Sequence, residues 1–316
     1  MAIGVTEKLK VLVSLPTGDN DFQVEQALSA EQAGLKLGID LEILYADNDT
    51  VNQSTQILKA LQRTRETRPD GIVFEPVGGD SLPRVARAAR DAGVGWAVLN
   101  RVPSYISELR KGATAPVFTI SSNHVEIGHI QGRQFAALLP DGGSVLYIEG
   151  PSHSSSAQQR TSGMLETKPA NIQLRTLKGQ WTEESARRAV RSWLSLATSQ
   201  RGEFSLVGAQ DDSMAMGARK AFEEIPEIPR RIAWLSLPFT GCDGCPKAGE
   251  TWVRNGQLAA TIHIPALAGR AIDMLAKGIQ IGIQPPETSI TVPASIPSLT
   301  ELAARVPSTK LQAKTN

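Results

Sequence analysis

The sequence predicts an α/β fold made of two doubly wound parallel-sheet lobes. Short apolar segments alternate with longer amphipathic segments along almost the whole chain. Alternating strands and helices are typical of parallel sheets that helices cover on both faces. The pattern holds about ten such pairs, more than one small open sheet takes, and 316 residues correspond to about two domains. A barrel of eight strand–helix pairs is the structural alternative.

In the first part of the chain, apolar runs that end at turn residues predict the strands. The run 10–15 closes at Pro16 and Gly18, and a face of small residues over 22–37 predicts a closely packed helix that ends at Gly38. Pro83 falls near the first turn of another predicted helix, where proline is tolerated. The same reasoning predicts strands over 41–45, 70–75, 95–100 and 117–120, and helices over 51–61, 81–92 and 125–139.

The alternation continues through the second part of the chain. Strands are predicted over 144–149, 172–177, 204–208 and 232–237, and helices over 155–166, 183–197, 213–224 and 266–277. No low-complexity linker separates the two halves, so we expect a tight connection between the domains. The polar tail after Pro307 is expected to be frayed.

Composition and charge exclude several classes of protein. Lysine and arginine number 33 against 32 aspartate and glutamate residues, and a nucleic-acid binder usually carries a clear basic excess, so we expect no nucleic-acid partner. No run approaches the roughly 18 apolar residues that span a bilayer. Residues 1–10 hold no apolar run of signal-peptide length. We therefore expect either a cytoplasmic protein or a mature chain from which a leader has been removed.

Motifs for cofactor or nucleophile chemistry are absent from the sequence. No phosphate loop ending in Gly-Lys-Ser/Thr, no Gly-x-Gly-x-x-Gly after a strand and no Gly-x-Ser-x-Gly turn is present. Cys242-Asp-Gly-Cys245 is a Cys-x-x-Cys motif, but the chain has no second pair to complete a zinc site. We expect no cofactor and no metal ion. A local disulfide and two inert thiols both stay open for the cysteines.

Polar side chains follow the predicted strands, where doubly wound sheets bind their ligands. They are carboxylates, amides, arginines and a few aromatic residues. Hydroxyl groups both donate and accept hydrogen bonds, and flat aromatic rings pack against the C–H face of a sugar, so this set suits a neutral polyhydroxylated ligand. The set comprises Asp19, Asn20, Asp21, Phe22, Asn100, Arg101, Ser121, Ser122, Asn123, Ser155, Gln158, Arg160, Trp181, Gln210, Asp211, Asp212, Asp243 and His263.

At these positions the chain resembles a known family, the ribose-binding-protein-like group of type I periplasmic sugar-binding proteins of ABC importers. Four stretches carry the resemblance: Asp-Gly-Ile-Val-Phe-Glu-Pro at 70–76 with Asn100-Arg101, Gly-Ala-Gln-Asp-Asp-Ser-Met-Ala-Met-Gly-Ala at 208–218, Gly-Cys-Asp-Gly-Cys-Pro at 241–246, and Ala-Thr-Ile-His-Ile-Pro at 260–265. The resemblance spans roughly residues 8–306. Each stretch is weak alone, and their shared order and spacing make them specific.

The resemblance implies two α/β lobes joined by a three-strand hinge, which would be crossed near Ile120, His263 and residues 289–292. The implied lobes are 1–119 with 264–290, and 120–263 with 291–316. A small sugar or polyol would be captured in the cleft between them by hinge closure. A monomer of this kind works in the periplasm, delivers its ligand to an ABC permease or a membrane sensor, and catalyses no reaction.

Ten residues are implied as ligand contacts. Asn20, Phe22, Arg101 and Asp243 match the family pattern, while Asp211 stands where asparagine is usual and Trp181 approximates an aromatic position. The sequence departs from the pattern at Asn100 in place of aspartate, at Gln158 in place of an arginine with Arg160 two residues on, and at His263 in place of glutamine. We therefore assign no specific sugar: another polyol, a sugar derivative and a furanose all fit. The implied set is Asn20, Phe22, Asn100, Arg101, Asn123, Gln158, Trp181, Asp211, Asp243 and His263.

Purely structural roles compete with these assignments. Asp212 is expected to cap the helix 213–224 while Asp211 faces the ligand, and Asn123 also suits a helix cap. Phe22 and Trp181 are alternatively core aromatics. His263 is alternatively a hinge brace, and Arg101 a solvated loop charge.

Two other functions are compatible with the same fold. One is a sugar-responsive sensor or regulator core, although such regulators carry about 60 residues of helix-turn-helix ahead of the first strand, which here begins near Lys10. The other is a sugar-processing hydrolase that uses Asp211 and Asp243, since glycosidases need two carboxyl groups about 5 to 9.5 Å apart. Release of product would favour the hydrolase, and binding without turnover would favour the binding protein.

Overall fold

A computed structural model describes residues 8–78, 82–196 and 203–305. Three features of the sequence predictions lie outside these residues. They are the start of the helix 81–92, the end of the helix 183–197, and the tail after Pro307.

The chain divides into two compact units. The first unit comprises Met1–Ser122, His153–Ser156 and Pro265–Thr291, and the second comprises Asn123–Ser152, Ala157–Ile264 and Val292–Asn316. The units therefore change over after Ser122, Ile264 and Thr291, whereas the predicted lobes change over after 119, 263 and 290; the assignment of His153–Ser156 to the first unit is not predicted. The first difference arises because the strand predicted over 117–120 runs on to Ser122.

Strands and helices alternate as the sequence predicts. As far as residue 138 the elements are β1 (Lys10–Leu15), α1 (Asp21–Leu37), β2 (Asp40–Tyr45), α2 (Thr50–Leu61), β3 (Gly71–Phe74), α3 (Pro83–Asp91), β4 (Gly95–Leu99), α4 (Ile106–Arg110), β5 (Val117–Ser122) and α5 (His124–Leu138). From there to residue 235 they are β6 (Gly143–Glu149), α6 (Ser155–Thr167), β7 (Ile172–Lys178), α7 (Glu183–Leu194), β8 (Leu206–Ala209), α8 (Asp212–Glu223) and α9 (Ile228–Leu235). The last are β9 (Phe239–Thr240), α10 (Gly249–Arg254), β10 (Thr261–His263), α11 (Ala268–Ile281), β11 (Thr288–Thr291), β12 (Ala294–Ile296) and α12 (Leu299–Ala304).

The first unit is built on one six-stranded parallel sheet in the order β11-β5-β4-β3-β1-β2. One face packs on α1 and α11 through residues such as Ala30, Phe118 and Leu275, and the other packs on α2 and α3. Gly71 and Gly95 let Leu275 approach the sheet, because a Cβ atom at either position would overlap its side chain. The strand ends are thereby fixed by a core on both faces.

The second unit has a four-stranded parallel sheet in the order β7-β6-β8-β9 and an antiparallel pair formed by β10 and β12. One core joins the sheet to α7, α8 and α9, and a smaller core joins it to α5 and α6. Two open sheets covered on both faces confirm the predicted fold class, and the barrel alternative is wrong. Within the described residues, no helix combines the length and apolar character that crossing a membrane requires.

The strand predicted over 232–237 is wrong. This segment lies mostly in helix α9, where Pro229 stands in the first turn and Trp234 is the buried residue. Trp234 stacks on Phe222 with ring centroids 4.4 Å apart, while Ile232 stays 61% exposed. Its short apolar run resembles a strand in sequence, but the strand of this region is β9, a few residues further on.

Candidate functional site

In the first unit, Asn20 and Phe22 lie where β1 passes into α1. Asn20 is the N-cap of α1, and its side-chain oxygen accepts a hydrogen bond from the backbone nitrogen of Gln23 at 3.1 Å. Asn20 is 5% exposed and Phe22 is 7% exposed. Extended backbone at a cap turns the amide toward the first helical turn, so the structure gives Asn20 a capping role in addition to any ligand contact.

A second group in this unit forms at the ends of β3 and β4. The side-chain nitrogen of Asn100 donates to Glu75 Oε2 at 3.0 Å, and Arg101 Nη1 donates to the backbone oxygen of Asn100 at 2.7 Å. Arg101 Nη2 also donates to Ser154 Oγ at 3.4 Å. All three of Glu75, Asn100 and Arg101 are buried, and the φ angle of Asn100 is 54°. The structure contradicts a solvated loop role for Arg101, because a buried guanidinium is stable only with such partners.

Glu75 is a site neighbour that the sequence reasoning leaves out. The sequence predicts Glu75 as the last residue of the strand 70–75 and not as a residue of the site. The strand ends at Phe74, and Glu75 is the first residue beyond it. The signal was available, since a carboxylate closes an otherwise apolar run.

In the second unit, the predicted cap of the helix 213–224 is wrong, because Asp211 and not Asp212 caps it. Asp211 is the N-cap of α8, with extended backbone and a hydrogen bond from the nitrogen of Met214 at 2.5 Å. Asp212 stands inside the first turn, where its carboxylate accepts from the Gly244 nitrogen at 2.8 Å and from Thr261 Oγ1 at 2.7 Å. Asp212 therefore fixes the loop that carries Asp243.

That loop is the Cys-x-x-Cys segment. Asp243 is 5% exposed, its φ angle is 117°, and its nitrogen donates to the oxygen of Ile262 at 2.9 Å. Cys242 and Cys245 are buried, and neither is part of a disulfide bond. Burial raises the pKa of Cys242 well above its usual value, against the opposing effect of Arg160. A protonated, enclosed thiol is a poor nucleophile, which argues against a redox role.

His263 lies beside Asp243, to which a β-bridge joins it. Its Nδ1 atom lies 3.3 Å from the Gly244 oxygen and 3.9 Å from Glu250 Oε1. The imidazole is 41% exposed. It is thus placed next to the loop and open to solvent.

Two other predicted residues have ordinary structural roles. Asn123 is exposed and caps α5 by accepting from the Glu126 nitrogen at 3.1 Å. Gln158 is exposed, and its side-chain nitrogen donates to the Ser152 oxygen at 2.8 Å. The structure does not bring either side chain into the buried polar group described next.

Arg160, absent from the predicted contacts, is the buried cation of the second unit. It is 6% exposed, donates through Nη1 to the Gln210 oxygen, and lies over the ring of Trp181 with 5.4 Å between guanidinium carbon and centroid. Burial lowers its pKa, but Cys242, Asp243 and Asp211 outweigh that effect and the net pKa is raised. Arg160 is therefore charged, and it brings Trp181, Asp211 and Asp243 into one electrostatic group.

Each unit therefore carries a buried arginine among amide and carboxylate groups at the carboxyl ends of its strands. In the first unit Arg101 lies with Asn100 and Glu75. In the second unit Arg160 lies with Gln210, Asp211 and Asp243. Such groups offer both donors and acceptors, which hydroxyl ligands require.

The sequence and the fold are similar to those of known binding proteins. The chain is 25% identical over 272 residues to the ribose import binding protein of Salmonella typhimurium, covering 86% of this chain and 82% of that protein. It is 28% identical over 193 residues to a putative rhizopine-binding protein of Rhizobium meliloti, covering 59% of this chain and 58% of the relative's length. A crystal structure of a galactofuranose binding protein superposes with a TM-score of 0.78 at 21% identity, covering 94% of this chain and 97% of that one.

The relatives named above are binding proteins, and the solved structure shares the fold. A model of the periplasmic binding protein domain matches residues 11–282 of the sequence, which is most of its length. The resemblance stated from the four sequence stretches is thereby confirmed. The chain belongs to the periplasmic binding protein domain family.

Proposed function

We propose that this protein captures a small sugar or polyol and delivers it to an ABC importer. The observation that carries the proposal is the pair of buried arginines, one in each unit, each surrounded by amides and carboxylates at strand carboxyl ends. A ribose import binding protein among the relatives supports the same class of ligand. Membership of a periplasmic family supports a site of action outside the cytoplasmic membrane.

The proposed ligand contacts divide by chemistry. Arg101 supplies N–H donors for hydroxyl oxygens, and Asp243 supplies acceptors for hydroxyl protons. Trp181 offers an aromatic face to the C–H side of a sugar ring. Because the family resemblance alone implied these contacts, they are tested individually by substitution.

We further propose that the protein binds without catalysis and works as a monomer. A hydrolase would need Asp211 and Asp243 as an acid and a nucleophile or base. Asp211 instead caps α8 through a direct hydrogen bond to the Met214 nitrogen. One oxygen of this carboxylate is therefore already engaged within the helix cap.

Thermal unfolding against a panel of pentoses, hexoses, cyclitols, acyclic polyols and sugar phosphates tests the proposal. A ligand at a hundred times its Kd adds about 2.7 kcal/mol of stability, which raises the unfolding midpoint measurably. Arg101→Ala and Asp243→Ala are expected to abolish the shift. Arg63→Ala and Asp141→Ala, which alter exposed residues of the first and second units, serve as matched controls and are expected to keep it.

Two results would contradict the proposal. One is a midpoint that no member of the panel raises, together with no sugar released from the denatured protein in mass spectrometry. The other is release of a cleaved product from a glycoside, which would identify an enzyme. Incubation of the protein with aryl glycosides of the binding sugars checks the second.

A further inference from the structure

Trp181 is held by a closed ring of contacts inside the second unit. The Gly150 nitrogen donates to Gln210 Oε1 at 2.8 Å, and Arg160 Nη1 donates to the backbone oxygen of Gln210. The Arg160 guanidinium then lies over the indole of Trp181, whose edge faces Gly150. Every member of the ring is therefore tied to the next.

Gly150 is required by space. A Cβ atom at this position would overlap the indole of Trp181. It would lie 2.7 Å from the Cε2 atom of the ring and closer still to the Cζ2 and Cη2 atoms. The overlapped atoms belong to a rigid ring and not to the end of a flexible chain. An alanine at position 150 therefore has to push the indole away.

Arg160 covers one of the two faces of the same indole. Its guanidinium carbon lies 5.4 Å from the ring centroid, within the range of a cation–π contact. Its Nε atom is buried and has no hydrogen-bond partner among the residues that the structure describes. The Gln210 oxygen and the indole are thus two of the contacts that orient the guanidinium.

The backbone of Trp181 also needs outside support. Its φ angle is 63°, a left-handed conformation that bulky residues rarely adopt. Such conformations persist where surrounding contacts over-determine them, and they concentrate at ligand-binding sites. Gly150 and Arg160 both lie against the indole and so restrain the side chain of Trp181.

We propose that Gly150 and Arg160 are positioning residues that hold the Trp181 indole in place before a ligand arrives. The inference rests on the proposed function in one respect, that Trp181 contacts the sugar. A ring fixed in advance reduces the ordering cost of binding. A cyclic sugar, which has a C–H face to lay on the indole, gains more from it than an acyclic polyol does.

The first experiment needs no ligand. The five tryptophans are labelled with 5-fluorotryptophan, and the 19F resonance of Trp181 is identified by its loss in Trp181→Phe. Gly150→Ala and Arg160→Met are each expected to shift or broaden that resonance while the other four stay in place. Gly34→Ala in α1, where a Cβ atom meets only ordinary contacts, is the matched control and leaves all five unchanged. An unmoved Trp181 resonance in both variants overturns the proposal.

The second experiment measures affinity for D-ribose and for ribitol, its acyclic counterpart, by calorimetry. Gly150→Ala is expected to raise the Kd for D-ribose about tenfold and that for ribitol less than threefold. Arg160→Lys keeps the charge without the flat guanidinium, and is expected to resemble Arg160→Met. Equal increases in Kd for D-ribose and for ribitol would contradict the proposal that the indole packs against a sugar ring.

A double variant separates positioning from misfolding. In Gly150→Ala/Trp181→Phe the smaller phenyl ring makes room for the new methyl group, so the unfolding midpoint is expected to recover relative to Gly150→Ala. No recovery would show that the methyl group acts elsewhere and would overturn the assignment. If no sugar binds the unaltered protein, the proposed function fails, while the fluorine spectra still decide whether Gly150 and Arg160 position Trp181.

Discussion

The two units hold their strand-end side chains in different ways. In the first unit Asn20 caps its own helix, Arg101 donates to its neighbour Asn100, and Asn100 donates to Glu75, 25 residues away. The distant contact of this unit, from Arg101 Nη2 to Ser154 Oγ, is the longest of these hydrogen bonds at 3.4 Å. In the second unit Arg160 reaches Gln210, 50 residues away, and Asp212 reaches Thr261, 49 residues away. The role of a polar side chain can be predicted from sequence when its hydrogen-bond partner is a neighbour in the chain. It cannot be predicted in this way when the partner is distant in sequence.

The largest stability effect is expected where the distant contacts of the second unit meet a buried charge. In Asp212→Ala both carboxylate oxygens are removed, which leaves the buried Gly244 nitrogen and the buried Thr261 hydroxyl without this acceptor. The free energy of unfolding is expected to fall by about 3 kcal/mol, as for other buried charged hydrogen bonds. Urea unfolding followed by circular dichroism measures it.

The matched control lies in the first unit. Asp49 is an exposed cap of α2 that accepts from Val51 and Asn52 through one oxygen. Water can replace this acceptor in Asp49→Ala, so the free energy of unfolding is expected to fall by only about 1 kcal/mol. Equal losses in the two variants would erase the contrast between the units.

Two buried glutamines, one in each unit, allow a second comparison of the stability lost on substitution. The Gln210 side chain accepts from the buried Gly150 nitrogen and donates to Tyr147, Ala157 and Thr161. Gln210→Ala is expected to cost about 2 kcal/mol, because these groups are left without access to water.

Gln53 is its counterpart in the first unit. It accepts from Val77 and donates to Ser14 and Glu75. Val77 is half-buried and water can replace the lost bond there, so Gln53→Ala is expected to cost about 1 kcal/mol. The same urea titration compares the two glutamine variants, and a larger loss at Gln53 would reverse the account.

Two asparagine caps give a smaller effect. Asn20 in the first unit and Asn123 in the second each accept a helix N–H group at 3.1 Å. Replacing either by alanine is expected to cost about 1 kcal/mol. Asn20 is buried and Asn123 exposed, so Asn20→Ala is expected to raise the Kd for the bound sugar more than Asn123→Ala does. Calorimetry that finds equal Kd changes would remove the distinction.

The smallest effect depends on pH and lies on the surface of the second unit. Glu166 and Glu126, at 2.8 and 2.9 Å, raise the pKa of His129 above its usual value. The stabilisation is complete below about pH 6.5, the value in an unfolded chain, and is lost as pH rises through the raised folded value.

His129→Gln is therefore expected to lower the unfolding midpoint at pH 5.5 and to leave it nearly unchanged at pH 9, by less than the cap variants do. Scanning calorimetry at the two values checks this. A difference that is the same at both would show that the His129 charge plays no part.

The regular elements follow from local patterns, which is why the predicted strand 10–15 coincides with β1. The strand predicted over 232–237 is wrong because a short apolar run also suits a helix of which only one apolar residue, Trp234, is buried. Whether Asp211 or Asp212 caps α8 depends on which of the two has extended backbone. The sequence does not distinguish them, because both are aspartates and they are adjacent. Arg160 lies two residues from Gln158, and only the contact with Gln210 distinguishes the buried position from the exposed one.

The proposed function requires that the buried polar group around Arg101 and the one around Asp243 both take part in ligand binding. The direct measurement is the Kd of the most stabilising sugar of the panel for the unaltered protein, for Arg101→Ala in the first unit and for Asp243→Ala in the second. Each variant is predicted to bind about a hundredfold more weakly, which corresponds to about 2.7 kcal/mol. A variant that binds the sugar with unchanged affinity would show that the substituted side chain takes no part in binding, and would contradict the proposed function.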